Sequence, residues 1–358
     1  CERSEQQPSI LSIPIYMPKN IVKSASLAYN IHTNPKEVLY KMKDTKHKIL
    51  TLAALTTIAA GVIHLTNRVI VASSQLKEML DFSNHNYYNW RFGKIYYTKK
   101  GKGSPLLLIH DTMPGASGYE WSRVEDQLAQ EHTVYTLDLL GCGRSEKAGI
   151  TYTNFLFVQI ICDFIKNVIK EKTDIIASGF SCSFVTTAAA YDKESINKIM
   201  FINPVSMISL AQTTTKKDKL FKFFIELPIF GTFIYHIIVS RETINDFFLD
   251  NLYYNPFHVD KDVLDAYYEA AHKGGYYAKC LYSSQSAKYM NISIRHAVES
   301  IDNSIYIVEG EDEPNGAAIV EAYQKINPAI ESATIPCSKH FPHIENVDAF
   351  LEQVGAFF

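Results

Sequence analysis

The segment that most constrains this chain is Gly179-Phe180-Ser181-Cys182-Ser183. It follows the apolar run Asp174 to Ser178, which reads as a buried strand. It precedes the small-residue run Phe184 to Ala190, which reads as a packed helix. Such a strand, turn and helix, with small residues two before and two after a serine, can lift that hydroxyl above the end of a sheet. Gly179 and Ser183 supply the small flanks, so Ser181 is the expected nucleophile.

The flanking pattern sets the fold class. Pro105 to His110, His132 to Asp138, Asp174 to Ser178 and Lys198 to Asn203 are continuous apolar runs. They suit parallel strands buried on both faces. Helical patterns stand between them, around Glu120 to Glu131, over Asn154 to Lys170 and after Ser181. Trp90 to Thr98 alternates as a strand or hairpin arm. Strands alternating with helices predict an α/β fold with a doubly wound, mostly parallel sheet. After Pro204 the alternation stops, and a helical, aromatic-rich segment runs to about Asn303. The expected division is a core over residues 88–206 and 301–358 with a helical cap over 207–300.

Composition excludes several alternatives. A net charge of −3 over 358 residues gives no electrostatic case for nucleic acid. Cysteines 1, 142, 162, 182, 280 and 337 are scattered without metal-ligand spacing, so no zinc site or disulfide framework is expected, and chemistry at a serine hydroxyl calls for no cofactor.

Ile49 to Leu65 is apolar and follows Lys41, Lys43, Lys46, His47 and Lys48. That is the pattern of a signal anchor. The run reaches spanning length if it extends past Arg68 to Ala72. Residues 42–80 are therefore expected to form an N-terminal hydrophobic anchor helix, with the catalytic domain outside the cytoplasm. The alternative is a helix leaning on the core. Residues 1–41, with Pro8, Pro14, Pro18 and Pro35 and no periodicity, read as a leader, and Met42 as a start site.

Four separated motifs carry a family resemblance. They are His110 at a strand end, Asp138-Leu139-Leu140-Gly141-Cys142-Gly143-Arg144-Ser145, the elbow at Gly179 to Ser183, and Lys339-His340-Phe341-Pro342-His343-Ile344-Glu345. In this order they resemble the α/β-hydrolase superfamily, in its esterase and haloperoxidase-like branch with a helical cap. With the basic, apolar leader, the chain also looks like membrane-anchored members of clostridial type. The resemblance implies a triad of Ser181, an acid and His340. The acid lies three residues after Gly310, which selects Glu313, with Asp312 as the alternative. A purely solvated acidic turn is the other reading of that cluster. The resemblance also implies an oxyanion hole from the backbone N–H groups of Cys182 and Thr112.

One residue departs from the family pattern. Asp111 follows His110 where the family has Gly. It either repels a developing oxyanion or turns aside to cap its own loop's amides. The expected function is hydrolysis of a carboxylic ester, or a related acyl bond, of a small apolar substrate through an acyl-serine. The expected reagent test is labelling of Ser181 by a fluorophosphonate. The alternative is a membrane-tethered, catalytically degenerate binding module.

Overall fold

The computed structural model describes residues 45–80 and 86–358, with side chains from residue 50 onward. The expected leader 1–41 and the Met42 start lie outside the described residues.

Eight strands form one sheet: β1 (Asn86–Trp90), β2 (Gly93–Lys100), β3 (Ser104–Ile109), β4 (His132–Leu137), β5 (Thr173–Ser178), β6 (Ile196–Ile202), β7 (Ile305–Gly310) and β8 (Glu331–Ile335). Their order is β1-β2-β4-β3-β5-β6-β7-β8. β2 runs antiparallel to both neighbours, and the remaining neighbours pair in parallel. This is the doubly wound, mostly parallel sheet that the sequence predicts.

The apolar runs are continuous because both sheet faces are covered. Leu107, Ile109, Ile175 and Ala177 face one core with Phe157, Phe164 and Phe184. Leu106, Leu108, Ile176 and Met200 face the other with Trp121, Val124 and Phe350.

Helix α1 spans Thr45–Ser74, and α2 spans Asn154–Phe164. The α2 chain continues through a wider turn, Ile165–Ile169, and stops at Lys170 in the left-handed region. The helix expected near Glu120 to Glu131 is two short turns, Gly118–Trp121 and Glu125–Leu128. Helix α3 spans Ser181–Tyr191, so it starts at Ser181 itself rather than after it.

Between β6 and β7 lie α4 (Lys216–Glu226), α5 (Phe230–Ile238), α6 (Lys261–His272) and α7 (Lys279–Ser286). The aromatic residues Tyr235, Phe248, Tyr253, Tyr267 and Tyr282 of this segment form a cluster that includes Met113 and Phe341 of the core. The cap thus closes over the loops after β3 and β8. Helices α8 (Gly316–Ile326) and α9 (Val347–Phe357) complete the core.

Candidate active site

The sheet geometry decides where the elbow turns. Ser178 pairs with Ile202, and the N–H of Gly179 extends that ladder by donating to the Ile202 carbonyl at 2.9 Å. The chain then reverses at Gly179, whose φ is +55°, and enters α3. The apex of the turn is therefore Gly179, two residues before the expected nucleophile. Small residues flank this apex as well, Ala177 before it and Ser181 after it.

Ser181 occupies the helix side of the turn. It is fully buried, and its hydroxyl donates to the His110 carbonyl at 2.6 Å. It shares no hydrogen bond with His340. The expectation of an exposed Ser181 beside an imidazole is corrected accordingly: the residue pins α3 to the end of β3. Cys182 also differs from expectation, since its N–H is directed at the Gly179 carbonyl at 3.4 Å, within the helix turn.

The space above the apex is filled by Asp111. A Cβ placed on Gly179 would stand 2.3 Å from Asp111 Cγ and Oδ2. Asp111 Oδ1 accepts two backbone N–H groups, from Thr112 at 2.6 Å and from Phe180 at 2.8 Å. One comes from the loop after β3, and the other from the residue that follows the apex. These are the two positions from which this kind of elbow stabilises an oxyanion. Asp111 thus does cap its loop's amide, and it also reaches across to the elbow.

Asp111 Oδ2 lies 3.4 Å from His340 Nε2. On the other side of the ring, His340 Nδ1 lies 3.3 Å from Glu313 Oε1 and 3.4 Å from Oε2. Asp312 is exposed, so Glu313 is the carboxylate that meets the imidazole. Burial opposes charge on His340, but Glu313 and Asp111 outweigh it and hold its pKa well above the ordinary imidazole value. The His340 ring thus lies between the side chains of Glu313 and Asp111.

Neighbouring residues fix these parts. Asn203 donates through Nδ2 to the carbonyls of Lys339 and His340, both at 2.9 Å, and accepts the Gly310 N–H at 3.1 Å. It ties the histidine loop to the end of β7, the strand that leads into the Glu313 turn. Glu120 is buried and accepts the Asp111 N–H at 3.1 Å. Its other oxygen is 3.4 Å from Nε2 of His343, whose ring stacks on Trp121. His343 is therefore behind the Asp111 loop. The ring of His110 is also structural, its Nε2 accepting the Leu139 N–H at 3.0 Å.

The Asp138 to Ser145 loop is a brace. Asp138 is fully buried and accepts from Gly118 N–H at 2.6 Å and from Arg144 N–H and Nε at 2.7 and 2.8 Å. Burial alone would raise its pKa, yet the Arg144 guanidinium lowers it to about 2. A narrow cleft runs from Thr112 and Met113 past Gly141 to Gly143 and under Tyr235, Leu281 and Tyr282 of the cap.

A model of the Alpha/beta hydrolase family matches residues 106–353. The chain belongs to the α/β-hydrolase family. It is similar to a 2-hydroxy-6-oxo-6-(2'-aminophenyl)hexa-2,4-dienoic acid hydrolase of Metapseudomonas resinovorans, 28% identical over 31% of this chain and 39% of the relative. A soluble epoxide hydrolase of Corynebacterium is 29% identical over 30% of this chain and 37% of the relative. Those curated matches span less than two fifths of either relative. Among solved structures, a serine hydrolase involved in carbazole degradation superposes with a TM-score of 0.62 at 18% identity. That match covers 76% of this chain and 98% of that structure, and it bears on fold alone.

Gly179, Phe180 and Asp111 are the site residues that the sequence reading did not assign. The signal for the first was present, because Ala177-Ser178-Gly179-Phe180-Ser181 fits the small-flank rule as well as the expected pentapeptide does.

Proposed function

We propose that this α/β hydrolase uses the Asp111 carboxylate as its reacting group, in the space above an elbow that carries no side chain. His340 acts as acid and base, and Glu313 orients it. The observation that carries this reading is the position of Asp111, with Oδ1 on two N–H donors and Oδ2 against His340.

A carboxylate is a suitable nucleophile for saturated carbon bearing a leaving group. Attack on a carboxylic ester would instead give a high-energy anhydride. The expected acyl-serine route through Ser181 has correspondingly little support. His340 Nε2, 3.4 Å from Asp111 Oδ2 on a ring whose pKa its carboxylate neighbours raise, suits a substrate whose leaving oxygen needs a proton, as an epoxide's does. The aromatic cap favours an apolar one.

In the first step Asp111 Oδ2 attacks an epoxide carbon, and the carbon–oxygen bond breaks. The released alkoxide takes the Nε2 proton of His340, leaving a hydroxyalkyl ester and a neutral imidazole. In the second step that imidazole removes a proton from water as the water oxygen adds to Asp111 Cγ. The oxyanion forms on Oδ1, where the Thr112 and Phe180 N–H groups already point. Collapse breaks the ester bond and passes the remaining carboxyl proton to the departing alkoxide. A diol leaves, with Asp111 again a carboxylate and His340 again an imidazolium. The similarity to a soluble epoxide hydrolase supports this reaction class.

The test is a single turnover of styrene oxide in H2-18O. The peptide containing Asp111 should gain the heavy oxygen, because water adds to its carboxyl carbon. Diol formation with label in the product alone would sink the covalent route. A folded protein inert to apolar epoxides would favour the binding-module alternative, which the closed, charge-compensated array also fits.

Membrane tethering belongs to the same proposal. Helix α1 contains a 25-residue stretch, Leu50–Ser74, with a mean hydropathy of 1.4. Only 6% of its most apolar window is buried against protein, which argues against a core helix. The basic residues before it favour an orientation with the catalytic domain on the extracytoplasmic side.

A further inference from the structure

The exposed apolar surface does not end with α1. Helix α5 packs against α1, and Asn67 Nδ2 donates to the carbonyl of Ile229 at 3.0 Å, across 162 positions of sequence. Ile229 is the corner between α4 and α5, which meet at 104°. Its φ of +58° is unusual for a β-branched residue. The corner is held from below by Lys279, whose Nζ donates to the Leu227 carbonyl at 2.7 Å and to Thr232 Oγ1 at 3.0 Å.

Around this braced corner stand Leu220, Phe223, Phe224 and Phe230, each 47–59% exposed. Lys216, Lys217 and Lys219 are exposed on the first turns of α4 and make no ion pair among the described residues. Asp218 between them is engaged with the Thr215 cap and Lys288. A rigid corner bearing three phenyl rings and three free lysines is the composition of an interfacial membrane contact.

Depth along α1 fits as well. Eighteen residues separate Leu50 from Asn67 inclusive, a length of about 27 Å at about 1.5 Å per residue. A bilayer's hydrocarbon core is about 30 Å thick. If Leu50 enters at one face, Asn67 and the charged Arg68 reach the opposite boundary, level with the Ile229 corner.

We infer that the α4–α5 corner of the cap is seated in the extracytoplasmic leaflet beside α1, with Phe223, Phe224 and Phe230 among the acyl chains and the lysines of α4 at anionic headgroups. This rests on the reading of α1 as an anchor. The cap then faces the lipid phase, from which an apolar substrate would be drawn.

The test uses the full chain in vesicles of phosphatidylcholine and phosphatidylglycerol. One cysteine at a time, Phe223→Cys, Leu65→Cys or Tyr191→Cys, is added to a Cys1→Ser/Cys162→Ser/Cys337→Ser background, whose remaining cysteines 142, 182 and 280 are buried, and labelled with NBD. Lipid-borne doxyl groups should quench the Phe223 label at least about threefold more than the Tyr191 label, as for an inserted amphipathic face. The Leu65 label should be quenched in every preparation. Quenching at Leu65 without quenching at Phe223 would overturn the cap inference and leave the anchor intact. Quenching at neither would overturn both. Lys216→Glu/Lys217→Glu/Lys219→Glu should reduce quenching at Phe223 and not at Leu65; unchanged quenching at Phe223 would overturn the headgroup contact.

Discussion

Asp111 stands where a side chain on Gly179 would stand, with a Cβ on the glycine only 2.3 Å from the aspartate's Cγ. The two positions exclude one another, so a nucleophile on one requires its absence from the other. Exchanging them should therefore rebuild a serine elbow. The variant Asp111→Gly/Gly179→Ser is expected to react with a fluorophosphonate, whereas the natural protein and Ser181→Ala are expected to behave alike and remain unlabelled. Labelling of the natural protein at Ser181 would show that the buried hydroxyl reaches solvent.

The carboxylates around His340 set its titration. Its folded pKa is raised, so the charged pair contributes stability that is fully present below the unfolded value of about 6.5. That stability is lost as pH rises through the folded pKa. In Asp111→Asn one of the two carboxylates is gone, and the His340 pKa should fall. Imidazole NMR titrations of both proteins would measure this, and an unchanged midpoint would rule out contact with Asp111.

Glu313 and Asp312 are adjacent in sequence and opposite in role. Glu313→Gln should lower turnover by roughly 10²-fold or more, by the loss of an oriented and charged partner for the imidazole. Asp312→Asn, at an exposed position, should remain within about twofold, as surface substitutions usually do. Comparable losses in both variants, measured as kcat/KM, would mean that Glu313 is not the carboxylate that orients the imidazole.

The cap carries its own acid sensitivity. His236 and His272 stack at 4.9 Å inside it, and burial lowers their pKa values to about 3 and about 4. Their unfolded values lie near 6.5, so the unfolded chain binds more protons below that pH and stability falls as pH drops. At pH 5 the loss should be on the order of 1 kcal/mol or more. His236→Phe should flatten this dependence in thermal unfolding between pH 7 and pH 5. An equally steep dependence in the variant would place the acid sensitivity elsewhere.

The Asp138 brace should fail at lower pH. Its folded pKa of about 2 lies below the ordinary carboxylate value of 3.8, so its contribution is present above the unfolded pKa and disappears as pH falls toward 2. The difference corresponds to about 2 kcal/mol. Asp138→Asn should cost at least that much at neutral pH by denaturant unfolding, because Arg144 is left buried beside a neutral amide. A loss well under 1 kcal/mol would indicate that the loop finds another partner for the guanidinium.

Much of the architecture was legible in the residues. The parallel strands are visible because a strand covered on both faces must be apolar along its whole length, as Leu106 to Ile109 and Ile175 to Ala177 are. Glu313 and His340 were legible through the family resemblance, which implies an acid three residues after Gly310 and a base at the first histidine of the Lys339 to Glu345 motif. The turn itself was not. Gly179 and Ser181 each have small neighbours two residues away, and local pattern cannot say which one tops the bend. That choice was made by the pairing of Ser178 with Ile202, a contact between strands more than twenty residues apart. The side-chain direction of Asp111 was equally hidden, since the amides that hold it come from two separate loops. Periodicity and spacing in one dimension determined the layers and their order; the identity of the reacting group was decided by strand register and by volume, which exist only once the chain is packed.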